Sequence, residues 1–323
     1  MTTPPRPGIL QLDGREAPAL YAIGLGATML GASAFVVGIT AAGGWFVVAG
    51  LLLLGVGGAA LSGASALQRR IDTPKSGWRG PGPLAIFWTS IAWALLAQLS
   101  TTALLLAIGA APLLATPFGT LVLAAVANGA SILVVGAIVV GSGAVQWRDL
   151  VGATRAASPK RLPPPDRRGG IVGDLLWGVA LALPILGAAA LLAAAVANGT
   201  GLRAPTVLPT ASTGADLLAN ALTAGLVAPI GEELLYRGVI AQAWARQSTA
   251  RRAIVFSAVL FAFAHTLTVG GASVADAAGA AAVAFLVRLP LGIALGWLWM
   301  RRRSLLAPIA LHAVYNLAIV LVA

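Results

Sequence analysis

Polar residues in this chain are confined to short breaks between long apolar runs. Runs of about 18 to 28 residues recur, each long enough to cross a hydrocarbon core of about 30 Å. They place helices at 17–41, 43–66, 84–109, 115–142, 172–198, 214–245, 253–269, 273–300 and 304–322. In lipid such crossings must be helical, because every backbone N–H and C=O needs an internal partner. The pattern predicts an all-α fold: a polytopic transmembrane bundle of about nine membrane helices.

Composition supports this. Hydrophobic residues make up 59% of the 323, charged residues 10%, and mean hydropathy is +0.90. Abundant Ala and Gly let helices approach closely, and Gly292 with Gly296 forms a GxxxG face suited to helix packing. Cysteine is absent, which excludes disulfides, a thiolate nucleophile and Cys-ligated metal.

The net charge of +11 orients the bundle rather than pointing to nucleic acid. Basic residues are spread over alternate loops and form no single patch interleaved with aromatics. With the N-terminus inside, only Arg203 falls in an outer loop, while Arg237 and Arg288 lie within helices. Residues 1–16 are expected to form a cytoplasmic tail and not a cleavable signal, with a start-transfer helix after them. A four-helix part at 17–142, a basic Pro-rich linker at 143–171 and a five-helix bundle at 172–323 complete the division.

Ionisable groups inside an apolar span are costly and mark sites by default. The sixth helix carries VAPIGEELLYRG, with Glu232, Glu233 and Arg237. Glu233 and Arg237, at i,i+4, suit an ion pair, which leaves Glu232 turned away. The two histidines of the chain follow: FAFAH ends on His265, with Phe261 one turn before, and HAVYN joins His312 to Asn316 on one face. At about 1.5 Å per residue from the basic ends, Glu232 lies about 21 Å deep, His265 and Asn316 about 18 Å, His312 about 12 Å and Arg288 about 20 Å. Separate segments therefore bring their rare polar groups towards one layer.

A carboxylate beside two imidazoles can take a proton from water while a neighbouring donor meets the oxyanion. Glu232 is the better base and Glu233 the better partner for Arg237. The same set could instead hold one divalent ion, zinc among the options, through His265, His312 and Glu233 or Asn316. Arg288 is expected either to pair with a glutamate or to meet a substrate carboxylate or carbonyl. HExxH is missing. Asp174, Asp216 and Asp276 read as helix-start residues, the last with Ser273 as a cap, and not as a catalytic aspartate pair. Trp297 and Trp299 read as interfacial anchors.

The order EExxxR, FxxxH and HxxxN over about 214–320 resembles the CPBP family of intramembrane proteases, which includes Rce1-type CAAX prenyl endopeptidases and bacterial relatives linked to bacteriocin processing or immunity. The resemblance implies that Glu232 and His265 activate water, that His312 and Asn316 complete the site and stabilise the oxyanion, and that Glu233 and Arg237 fix the first helix. It implies an intramembrane endopeptidase acting on a peptide or membrane-protein substrate from the bilayer, with either a metal-bound or a glutamate-activated water. The Ala, Gly and Arg bias suggests a bacterial plasma membrane. The rival functions are a non-catalytic peptide- or lipid-binding protein and a secondary transporter. The first four helices lack Glu and His, which argues against a transporter built from repeats sharing one site.

Overall fold

The computed structural model describes residues 17–40, 44–73, 77–151, 169–203, 205, 208–267 and 269–322. The tail at 1–16 and most of the expected linker lie outside them. Among the described residues the chain is all-helical, without strands.

Among the described residues nine long helices follow in order: α1 (Pro18–Thr40), α2 (Gly44–Asp72), α3 (Pro83–Ala107), α4 (Pro117–Val140), α5 (Gly170–Thr200), α6 (Gly214–Gln247), α7 (Ala250–Ala264), α8 (Val274–Arg302) and α9 (Leu306–Val322). A short helix, Trp147–Leu150, follows α4. Seven of the nine are long and apolar enough to cross a membrane; α7, with 15 residues, and α9, with 17, are shorter. The starts are set locally. Thr116, Thr213, Thr249 and Ser273 each accept a backbone N–H of the first turn of α4, α6, α7 and α8, and such a cap stabilises a helix by about 1 kcal/mol. Asp216 and Asp276 belong to these caps, as their positions predicted.

Small residues set the spacing between helices. A Cβ added at Gly31 would lie 2.7 Å from the Leu54 nitrogen, and one at Gly50 would lie 2.5 Å from the Phe35 nitrogen, so α1 and α2 touch backbone to backbone. The GxxxG face behaves as expected: a Cβ at Gly292 would meet Ala258 at 3.2 Å, and one at Gly296 would meet Ile254 at 3.3 Å, which seats α8 on α7.

One core spans both halves of the chain. Trp78, Phe87 and Val135 belong to the same buried cluster as Leu235, Phe261 and Leu311. α3 and α4 thus pack on α6 directly, while α1 lies against α2 on the outside. Exposed leucines such as Leu183 and Leu191 on α5 supply the apolar outer surface that a lipid solvent requires.

Two expectations are corrected here. Asp174 is not a helix-start residue: α5 begins at Gly170, and Asp174 is buried and accepts Arg302 Nε at 2.6 Å, pinning α5 to the end of α8. Trp299 is no interfacial anchor, since it is 5% exposed and lies under Arg303. Trp297, more exposed, stacks with Trp177 and Arg301 as an anchor would.

Candidate active site

α6 is not a uniform helix. Pro229 has no N–H to donate, and the turn before it, Thr223–Val227, is wound as π-helix. A second π stretch, Leu234–Ala241, follows at once. Glu232 and Glu233 sit in the six α-helical residues between them. Such re-registered turns are common at functional sites, because they turn side chains and carbonyls away from the regular ladder. Nothing in the sequence marks the second stretch.

Glu233 is the fixed point. Its Oε1 accepts Arg237 Nη1 at 2.8 Å and His312 Nδ1 at 2.9 Å. Arg237 Nη2 also donates to the Gly292 carbonyl at 3.0 Å, and its guanidinium lies 4.7 Å from the Phe261 ring centre. Glu233 and Arg237 are both 0% exposed. One ion pair therefore joins α6, α7, α8 and α9. Breaking such a pair strands a buried charge, at a cost of about 3–5 kcal/mol.

Glu232 faces the other way. Its Oε2 makes no hydrogen bond, and both imidazoles approach it: His265 Nε2 at 3.6 Å and His312 Nε2 at 4.0 Å. The tautomers follow from the other nitrogens. His265 Nδ1 lies 2.7 Å from the Phe261 carbonyl oxygen, which can only accept, so this nitrogen carries the proton. His312 Nδ1–H donates to the Glu233 carboxylate by the same logic. In the neutral rings each Nε2 lone pair is then left towards Glu232. The separations exceed direct hydrogen bonds and suit a shared water. Side-chain exposures of 21% for Glu232 and 24% for His265 leave this side reachable.

His265 owes its place to the end of α7. The sequence predicts helix to 269, yet α7 stops at Ala264 and His265 is its C-cap. Phe261, at the motif position before it, touches both rings, with centroids 4.7 Å from His265 and 5.6 Å from His312. Asn316 Nδ2 donates to the Ala224 carbonyl at 2.9 Å, inside the first π turn. One of its amide hydrogens is thus engaged and the second remains.

Arg288 departs from the expected ion pair. Among the described residues it bridges to neither glutamate; its Nη1 donates to Ala284 of its own helix at 3.0 Å, within electrostatic reach of Glu232 and Tyr315. Asn128 on α4 is a neighbour that sequence reasoning passed over. A Cβ at Gly231 would fall 2.1 Å from Asn128 Oδ1, so the residue before Glu232 must be small for α4 to close on α6. A lone uncharged amide gives only a weak signal in an apolar helix.

The arrangement matches the expected metal ligands only in part. Zinc ligands at 2.0–2.2 Å lie roughly 3.4 Å apart at the edge of a tetrahedron, whereas the imidazole nitrogens stand 3.6 and 4.0 Å from Glu232 Oε2. Glu233, expected among the ligands, has Oε1 bound twice. Among the described residues no three His, Cys, Asp or Glu side chains group as metal ligands.

Comparison with curated proteins and with solved structures finds no match. Against protein-family models, residues 214–318 match the type II CAAX prenyl endopeptidase Rce1-like family. The matched stretch runs from the first residue of α6 into α9 and contains all three motifs. Over residues 214–318 the chain is therefore similar to the Rce1-like, CPBP-type membrane proteases.

Proposed function

We propose that the protein is an intramembrane endopeptidase in which Glu232 activates the attacking water. Two imidazole Nε2 atoms converging on the unbonded Glu232 Oε2, at 3.6 and 4.0 Å, carry this reading. A water held among the three loses a proton to Glu232 as its oxygen adds to the scissile carbonyl carbon. The second Asn316 N–H meets the oxyanion, and His312, held by Glu233 through its Nδ1–H, completes the site beside it. The proton on Glu232 then passes to the leaving nitrogen as the C–N bond breaks, which yields a carboxylic acid and an amine.

The topology proposed with this activity has the N-terminus inside, nine crossings and the basic loops on the cytoplasmic side of a bacterial plasma membrane. Substrates are peptides or membrane-protein segments that enter from the bilayer or from that side. The family's named substrates are prenylated CAAX proteins, but no feature of this chain specifies a prenyl group, and bacteriocin leaders, signalling peptides or membrane-protein tails are the classes to test first. Peptide profiles of membranes carrying wild type or Glu232→Gln provide the test. A peptide present with wild type and missing with the variant is expected. Identical profiles at equal expression would move the function to non-catalytic binding. Repeating the comparison with a chelator separates metal-bound from carboxylate-activated water: unchanged cleavage is expected.

A further inference from the structure

A second group of buried charges lies at the basic end of the bundle, roughly 20 Å along α6 from Glu232. Arg69 Nη1 donates to Gln247 at 2.8 Å, which brings the ends of α2 and α6 together. Leu305 N–H donates to the Val151 carbonyl at 3.3 Å, which ties the α8–α9 loop to the segment after the short helix. Between these links α8 closes on Arg303.

Arg303 has φ 53° and is the one non-glycine residue with positive φ among the described residues. Its left-handed C-cap is a conformation that glycine adopts freely and that a Cβ opposes. The backbone alone therefore gives no reason for an arginine there. The guanidinium lies 5.2 Å from the Trp299 ring centre, and its Nε and Nη2 are buried without a hydrogen-bond partner. Burial, and then the neighbouring Arg246, push its pKa down to about 10. Arg246 in turn has Asp149 within electrostatic reach, and its Nη2 is 2.8 Å from the Gln242 carboxamide when that amide presents its oxygen.

Among the described residues Arg303 has orphaned buried donors and no carboxylate within electrostatic reach, and Arg246 beside it has Asp149. Buried donors are normally satisfied, and an arginine fork matches the oxygens of a phosphate. We propose that Arg303 and Arg246 form an anion site for a phosphate group, supplied by an anionic phospholipid headgroup or by free phosphate. The site is distinct from the Glu232 layer, and occupancy would join the end of the site helix α6 to the α8–α9 loop.

Thermal unfolding of the full chain tests this without any activity measurement, so its failure would leave the peptidase reading untouched. In phosphatidylcholine nanodiscs, inorganic phosphate is compared with chloride at matched ionic strength. In parallel, phosphatidylglycerol replaces part of the phosphatidylcholine. A rise in Tm of about 3 °C or more at saturation is expected in at least one arm. A response to phosphate identifies a free-anion site, and one to phosphatidylglycerol alone identifies a headgroup site. Arg303→Gly relieves the left-handed strain and so keeps the fold while removing the fork; it should abolish the response, and Arg246→Gln should weaken it at least about tenfold in concentration. No rise in either arm, or an equal rise in Arg303→Gly, would overturn the proposal.

Discussion

The two sides of the site differ more than two adjacent residues on one helix would suggest. On the Glu233 side a carboxylate, a guanidinium and an imidazole share bonds of 2.8 and 2.9 Å with no exposure of the ion pair. On the Glu232 side the same residue type faces two imidazoles at 3.6 and 4.0 Å and is partly exposed, while one unbonded oxygen is common to both glutamates. His312 belongs to both, through Nδ1 on one side and Nε2 on the other. The closed side is fully buried, and the open side leaves the Glu232 and His265 side chains partly exposed. The proposed function gives reactivity to Glu232 and stability to Glu233.

If the closed side is scaffold, breaking it should show first in stability. Arg237→Met leaves Glu233 buried without its cation and should cost about 3–5 kcal/mol; thermal unfolding and size-exclusion behaviour in detergent are the measurements. On the open side, His265→Gln should leave the unfolding temperature near that of wild type while lowering cleavage about 10²- to 10³-fold. A reversed pattern, with His265 governing stability and Arg237 only activity, would break the comparison. A milder effect is expected where α4 meets α6. Gly231→Val drives a side chain into Asn128 and should cost about 1–3 kcal/mol, with partial loss of activity as Glu232 shifts. The smallest change is expected at Arg288, whose bond is to its own helix. Arg288→Gln should alter stability by less than about 1 kcal/mol, and a larger loss would place it in the scaffold.

The sequence shows much of this contrast. Charges and imidazoles in apolar spans are expensive enough to stand out, so Glu232, Glu233, Arg237, His265 and His312 could be picked out singly, and helix depth pointed to a shared layer. The i,i+4 rule separated the two glutamates. Apolar run length also placed nine long helices among the described residues, although α2 runs on to Asp72 instead of 66 and α7 stops at Ala264 instead of 269. What it could not supply comes from non-local packing. The partner of Asp174 is Arg302, 128 positions away, and only the helix start at Gly170 takes Asp174 out of the first turn. The early stop of α7 at Ala264 and the π turns of α6 depend on contacts across the bundle, not on a local residue signal. Asn128 escaped notice because a neutral amide that satisfies itself on Ala124 carries little penalty in an apolar helix. The shared core also showed what hydropathy cannot: α3 and α4 form a wall of the site helix.

The division of labour between the two glutamates is tested most directly by making Glu232→Gln and Glu233→Gln side by side and measuring unfolding temperature and membrane peptide cleavage for each. The account predicts that Glu232→Gln unfolds with wild type and has lost cleavage by about 10³-fold or more, while Glu233→Gln unfolds well below wild type. Cleavage retained by a folded Glu232→Gln, or equal stability of the two variants, would contradict it.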